Sequence, residues 1–555
     1  MKYLTRLLSP SRLSRLNHSL FVTRHSSFVI SLFIFFLLPS IHGRSQEVGL
    51  DSREVAIRKL LQSTIMINQM YVDTVNMERQ VEDAISGMLS KLDPHSTYTN
   101  AADTKKMNEP LQGNFDGIGV QFNMLEDTLV VIQPVAKGPS EKVGILAGDR
   151  IITVNDTAIA GVKMSRENIM ARLRGPKGTL VRLGVVRRGI KDVLSFTVKR
   201  DKIPVNSLDA AYIIRPGVGL VRFSGFAATT HDEVTEAVKR LQAEGMKTLI
   251  LDLQGNGGGY LNAAAELASE FLPKGEMIVY TRGRGGVNMG EFRSTGGGLF
   301  TEGRIVVLVD EYSASAAEIL AGAIQDHDRG TIVGRRTFGK GLVQRPINLE
   351  DGSMIRLTIA RYYTPSGRCI QKPYEKGDAK SYARDVIDRY NRGELTNADS
   401  IHFPDSLRYK TLRCGRTVYG GGGIMPDIFV PLDTTRYTRL HRELSARSYI
   451  VNTSLHYIDK NRKKLQKTYT QFSDFLQHFT FPREELDKML AEAEKKDSLR
   501  ARDDEELQKT LHTASLILKG LVARDLWDMS EYFQVIYEED PVVLQALELL
   551  RKEQE

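Results

Sequence analysis

This sequence predicts a multidomain protein with a β-rich domain, an α/β domain and helical segments on both sides, and three observations predict it. Its 555 residues are more than one ordinary core organises. Its apolar spacing changes from helical, to short β-branched runs, to alternating strands and helices, and back to helical. Glycine turns separate the short strands of the β stretch.

Residues 1–44 carry Lys2, Arg6, Arg12, Arg15, Arg24 and Arg44 with no Asp or Glu, and include an apolar run from Phe28 to Leu38 broken by Pro39. That run is short against the roughly 20 residues of a membrane span and suits a secretory signal peptide. A retained signal anchor is the alternative. Either way the expectation is an exported protein of the periplasm or cell envelope, with anchoring to the inner membrane if the segment stays. The six basic residues also account for most of the +8 formal charge, leaving about +2 of mixed charge elsewhere. No nucleic-acid partner is expected.

Residues 45–104 read as an N-terminal helical region, with apolar positions at three- and four-residue spacing through Val55–Leu61 and Val81–Leu89. Leu92-Asp-Pro-His-Ser96 stops it, since Pro94 restricts the residue before it. Residues 105–202 read as a small β domain with strands near 117–122, 129–132, 150–154 and 179–186 and one helix at 166–173. Residues 203–435 alternate strands (218–223, 248–253, 305–309) with helices (230–244, 316–325), and 373–413 is a polar, irregular insertion with helical pieces. Residues 436–555 are charged and helical, as through 514–521 and 542–550. Cys369 and Cys414 are the two cysteines, so no common thiol–metal site can be built. One disulfide and two free thiols both remain open.

The chemistry concentrates in Tyr312-Ser-Ala-Ser-Ala-Ala-Glu-Ile-Leu-Ala-Gly322. Ser315 falls at a strand-to-helix junction among small residues, where helix amides favour developing negative charge. Ser315-Ala-Ala-Glu318 also fits a capping box, in which the serine merely satisfies helix amides. Lys340 lies in Gly334-Arg-Arg-Thr-Phe-Gly-Lys-Gly-Leu-Val-Gln344, which has phosphate-loop spacing but places Gly341 where magnesium needs Ser or Thr. A lysine between glycines and apolar neighbours is instead poorly solvated, which lowers its pKa and lets it act as a base. Gln344, four residues on, would share its face of a strand and orient its amine. The glycine loop in Leu251-Asp-Leu-Gln-Gly-Asn-Gly-Gly-Gly-Tyr260 could turn an amide of Gly258 or Gly259 toward a reacting carbonyl, with the Ala316 amide beside it. His327, about 18 Å along the same helix, is too far to serve Ser315.

Together these residues resemble the C-terminal processing peptidases (tail-specific proteases). The resemblance runs over roughly 68–372 and resumes at Gly423–Ile428. It rests on Tyr71-Val-Asp73, Leu92-Asp-Pro-His-Ser96, Gly117-Ile-Gly-Val-Gln-Phe122, Gly148-Asp-Arg-Ile151, the glycine loop, the Ser315 and Lys340 motifs and Ala360–Gly367. It departs at Ala317, where many members have serine.

The resemblance implies an α/β serine-peptidase core of crotonase/ClpP-like type and a PDZ-like β domain. It implies Ser315 as nucleophile, Lys340 as general base, Gln344 as its orienter, Gly259 (or Gly258) and Ala316 as oxyanion donors, and Glu318 as a supporting acid. Gly117, Ile118, Gly119 and Val120 would receive a peptide's C-terminal carboxylate. Neither a cofactor nor a metal is implied. The expected partners are protein substrates with accessible apolar C-terminal tails, with an adaptor protein or a second copy of the chain as further candidates. The alternatives are a catalytically silent PDZ scaffold and a serine–histidine hydrolase.

Overall fold

The computed structural model describes residues 51–552. The chain divides into two units, residues 1–77 and 78–555. In the first, the helix Ser52–Met70 is capped by the Asp51 side chain and buries none of its residues.

The second unit is built around a six-stranded sheet. Its order is Leu208–Arg215, Val218–Phe223, Thr248–Asp252, Arg304–Val309, Thr331–Gly334, Ile428–Phe429. The first two strands form an antiparallel hairpin and every later pair is parallel. Ile305-Val-Val-Leu-Val309 is apolar at every position because both faces of the sheet are covered. Val221, Leu249, Leu251 and Val307 pack under the helices Thr230–Ala243, Leu261–Ser269 and Ala316–Asp326. Leu220, Ile250, Val306, Leu308 and Val333, alternating with them, pack on Val542, Val543, Ala546 and Leu550 of the helix Pro541–Lys552.

A second, antiparallel sheet lies beside this core. Met354–Tyr363 is its central strand, paired with Thr97–Thr99, Met277–Arg282 and Leu342–Asn348. The 373–413 segment contains the helix Ala379–Asn391, capped by Asp378.

Residues 114–204 enter and leave through the paired strands Asn114–Gly117 and Asp201–Pro204. Between them lies a β domain in the order Val120–Leu125, Thr128–Pro134, Arg150–Val154, Leu180–Val186, Leu194–Lys199. Its core gathers Leu129, Val131, Ile151, Leu183 and Val198 with Ile169 and Leu173 of the helix Arg166–Leu173. Residues 439–536 form a helical bundle around Leu444, Phe475, Ala493, Leu518 and Val522. Leu455 of its helix Tyr449–Thr468 packs on Leu125, Val130 and Ile132 of the β domain, and Asp459 pairs with Arg150 at 3.0 Å.

One expectation changes here and one open alternative is resolved. The placement in an envelope with anchoring to a membrane is corrected: among the described residues no helix is long and apolar enough to cross one. The two longest, Asp504–Leu526 and Tyr449–Thr468, carry charges along their length. The apolar run 28–38 lies outside the described residues. Of the two cysteines, both are free, Cys414 being exposed and Cys369 half-buried.

Candidate active site

Ser315 stands in the turn between the strand Arg304–Val309 and the helix Ala316–Asp326, with φ 57° and ψ −114°. Such a conformation costs a non-glycine residue about 1–3 kcal/mol and persists only where the surroundings impose it. Here the surroundings are a web of loop hydrogen bonds. Asp310 Oδ1 accepts the N–H groups of Gly255, Tyr312 and Ser313, each at 3.0 Å. Ser313 Oγ donates to Leu253 O at 2.7 Å. One buried carboxylate thus ties the glycine loop to the serine turn.

Glycine is required in that loop. A Cβ on Gly258 (φ 93°) would lie 2.8 Å from Ser315 Cβ and 2.9 Å from Ala316 N. The two expected oxyanion donors of the loop are not equivalent. The Gly258 N–H donates to Asn256 Oδ1 at 2.9 Å. Among the described residues the Gly259 and Ala316 N–H groups meet no protein acceptor, so Gly259 is the donor left for a ligand.

The capping reading of Ser315 is observed in form. Glu318 Oε2 accepts the Ser315 N–H at 2.8 Å and the serine side chain lies at the Glu318 amide, the two halves of a capping box, although the hydroxyl makes no hydrogen bond of strict geometry there. Glu318 is fully buried and has three further donors: Gly339 N–H at 2.7 Å, Lys340 N–H at 2.9 Å and the Thr337 hydroxyl. Burial pushes its carboxyl up to about 6, against the pull of those hydrogen bonds. Tyr362 Oη contacts the Ser315 and Lys340 carbonyls at 3.1 and 2.5 Å. Ser315 and Lys340 therefore share two clamps.

Ser315, Ala316, Gly258, Gly259, Lys340 and Gln344 all line one cavity of about 460 Å³. Among the described residues no histidine lines it; His327 instead bonds Met277 O at 2.7 Å. Burial, then the Arg356 guanidinium, lowers the Lys340 pKa, while Glu318 and Asp93 oppose that shift. Gln344 reaches the cavity by a different route from the one expected. Lys340 precedes the strand Leu342–Asn348, so strand alternation does not relate the two residues. The Gln344 amide nitrogen donates to Thr358 Oγ1 at 3.2 Å.

Several residues of the site carry no local signal in the sequence. Asp93 accepts the Thr358 hydroxyl at 2.9 Å, and Thr358 N–H donates to Ser96 Oγ at 3.1 Å. The stretch that reads as a helix stop is therefore also a support of the site. The 373–413 segment supplies Arg389, fully buried, which donates to Thr337 O at 3.1 Å and Arg336 O at 2.6 Å. The loop bearing Lys340 is thus held from both sides. Among the described residues no cluster of His, Cys, Asp or Glu could hold a metal ion.

In the β domain, Ile118, Gly119 and Val120 line a small groove with Phe122, Met170 and Leu173, between the edge strand Val120–Leu125 and the helix Arg166–Leu173. Gly117 lies outside it, paired with Asp201 in the entry strands.

The description "Peptidase family S41" matches residues 217–380 and "PDZ domain" matches 117–202. "Activating protease CtpB N-terminal domain" matches 40–104, and a family of unknown function matches 440–528. A carboxy-terminal-processing protease of Bartonella bacilliformis is 38% identical over 343 residues, covering 60% of this chain and 78% of the relative. This chain belongs to the carboxy-terminal processing proteases. CtpB of Bacillus subtilis is 33% identical, covering 62% of this chain and 71% of its own. The Synechocystis carboxyl-terminal-processing protease is 35% identical, covering 56% and 78%. The protease is thus a PDZ-containing member of its family, with the site on the S41 segment and a bundle, 440–528, that matches a family with no assigned role.

Proposed function

We propose that the protein is a serine endopeptidase that cleaves proteins at or near their C-terminal tails through an acyl-enzyme, with Ser315 as nucleophile and Lys340 as general base. The observation that carries this reading is that both residues line one cavity while Glu318 accepts the backbone N–H of each. Neutral Lys340, favoured by burial, takes the Ser315 proton as the serine oxygen attacks the carbonyl. The N–H groups of Gly259 and Ala316 receive the oxyanion. The Lys340 ammonium then protonates the leaving amine, and the neutral amine activates the water that releases the acyl group.

The PDZ groove fits substrate selection. Val120–Leu125 is an edge strand with one neighbour, so a peptide can add to its free side, and Ile118, Gly119 and Val120 would meet the terminal carboxylate. The core, a largely parallel sheet under three helices with Ser315 at a helix start, fits the crotonase/ClpP-like type. We take the working divisions to be 45–104, 105–202, 203–435 with 373–413 inserted, and 436–555.

The test is hydrolysis of an unstructured polypeptide ending in apolar residues, by wild type, Ser315→Ala and Lys340→Ala. Loss of cleavage in both variants is expected, with tail binding kept. Equal cleavage by all three would overturn the reading. Binding without cleavage by wild type would favour the silent scaffold.

A further inference from the structure

The hydrogen bonds running from Asp93 to Gln344 have a direction that chemistry fixes. Asp93 Oδ1 accepts the backbone N–H groups of His95 at 2.8 Å and Ser96 at 3.0 Å, and Oδ2 takes the Ser96 hydroxyl at 2.6 Å. The Ser96 oxygen receives the Thr358 N–H, so its own proton is the one directed at Asp93. Each of these partners is a donor, and the carboxylate is the acceptor throughout. Thr358 Oγ1, at 2.9 Å from Asp93 Oδ1, must then give its single proton to that carboxylate. What remains on Thr358 Oγ1 is lone pairs. The side-chain amide of Gln344, 3.2 Å away, can satisfy them only with its NH2 group. Reversing the amide would set carbonyl oxygen against hydroxyl lone pairs.

We propose that Asp93 and Thr358 form a one-way hydrogen-bond relay that fixes the Gln344 amide with its carbonyl, and not its NH2, offered to the Lys340 amine across the cavity. This rests on the reading of Lys340 as the base. The consequence is chemical. A carbonyl can accept an N–H from the lysine and leave the lone pair of the neutral amine free for the Ser315 proton. An NH2 group in that place would donate into the lone pair and block it. Asp93 and Thr358 are positioning residues. What brings them together is the antiparallel register of Thr97 with Arg356, which sets the 93–96 turn against the central strand of the second sheet.

The test is the pH profile of kcat and kcat/KM for Thr358→Val, with Thr358→Ser as the conservative rescue. The charged groups that bear on Lys340 are Arg356, Glu318 and Asp93, and all three stay in place in both variants. His95, on the same turn as Asp93, also feels Lys340, and burial first and that lysine second lower its own pKa to about 4. It is therefore neutral across the working range. Loss of the Thr358 hydroxyl frees the Gln344 amide to turn. The expected result is a plateau of kcat roughly tenfold lower or more, KM within about twofold, and an acid limb moved to lower pH, because an NH2 donor disfavours the lysine ammonium. Thr358→Ser restores the wild-type profile. Thr358→Ala removes the same oxygen without adding a methyl group and carries the test should valine not fold. An unmoved limb and plateau in the folded variant would overturn the relay. The reading of the base fails separately, if Lys340→Ala remains active.

Discussion

Glu318 Oε2 accepts the Lys340 N–H at 2.9 Å, from one turn into the helix that Ser315 opens. A single buried carboxylate therefore sets the spacing between two chain segments that are distant in the sequence.

Exchange of that carboxylate for an amide puts a donor among four donors. Glu318→Gln is expected to lower stability by about 2–4 kcal/mol at pH 7. Its pH dependence has a definite sign. The folded pKa of about 6 lies above the ordinary 4.5, so the native state holds this proton more tightly than the unfolded chain. The group's contribution is fully present below pH 4.5 and is lost as pH rises through 6, by about 2 kcal/mol in all. Urea unfolding on either side of that window should show the advantage of wild type over Glu318→Gln growing at the lower pH.

Arg356 is the charge that most lowers the Lys340 pKa after burial itself. Arg356→Gln is expected to raise that pKa, so that less neutral amine is present near neutrality. The acid limb of kcat/KM should move to higher pH, with activity recovering in alkaline buffer. An unchanged limb would remove Arg356 from the electrostatics of the base.

Arg389 holds two carbonyls of the loop that leads to Lys340. Arg389→Met leaves both without that donor in a buried place, at about 2–4 kcal/mol. Thermal unfolding should register that loss. Because Lys340, the proposed base, is then less firmly placed, kcat should fall by about tenfold with a smaller change in KM.

Gly258→Ala places a methyl group against Ser315 and the Ala316 N–H at a φ of 93°. The positive φ costs about 1–2 kcal/mol, and contacts of 2.7 Å with Ala314 O, 2.8 Å with Ser315 Cβ and 2.9 Å with Ala316 N force a local shift of the two loops. The expected outcome is a folded protein with cleavage reduced by about a hundredfold or more, since the oxyanion position is filled.

The strands and helices of the core are legible in the sequence because their periodicity is local. The helix expected at 166–173 is observed as Arg166–Leu173, and the strand expected at 150–154 as Arg150–Val154. The residues of the site divide differently. Ser315 and Lys340 stand out through their flanking glycines and small residues. Asp93 and Thr358, 265 positions apart, meet only because Thr97 pairs with Arg356, and no window of sequence contains both. Gln344 follows Lys340 by strand alternation only if both lie in one strand, and the strand Leu342–Asn348 begins after Lys340. Arg389 lies in a stretch that reads as a polar, irregular insertion with helical pieces. Its burial depends on the helix Ala379–Asn391 folding over the lysine loop, which local pattern does not express.

The helix Pro541–Lys552 covers one face of the parallel sheet, and Tyr537 Oη reaches Asp252 at the end of a central strand. Val218 and Val543 thus share one core although they lie far apart in the sequence. Until the ribosome has released that helix, Leu220, Ile250, Val306 and Leu308 lack the part of their cover that it supplies. An apolar sheet face left incompletely covered is prone to aggregate. A stop codon just ahead of Pro541 would leave every residue of the candidate site encoded and the sheet that carries them without the cover of Val542, Val543, Ala546 and Leu550.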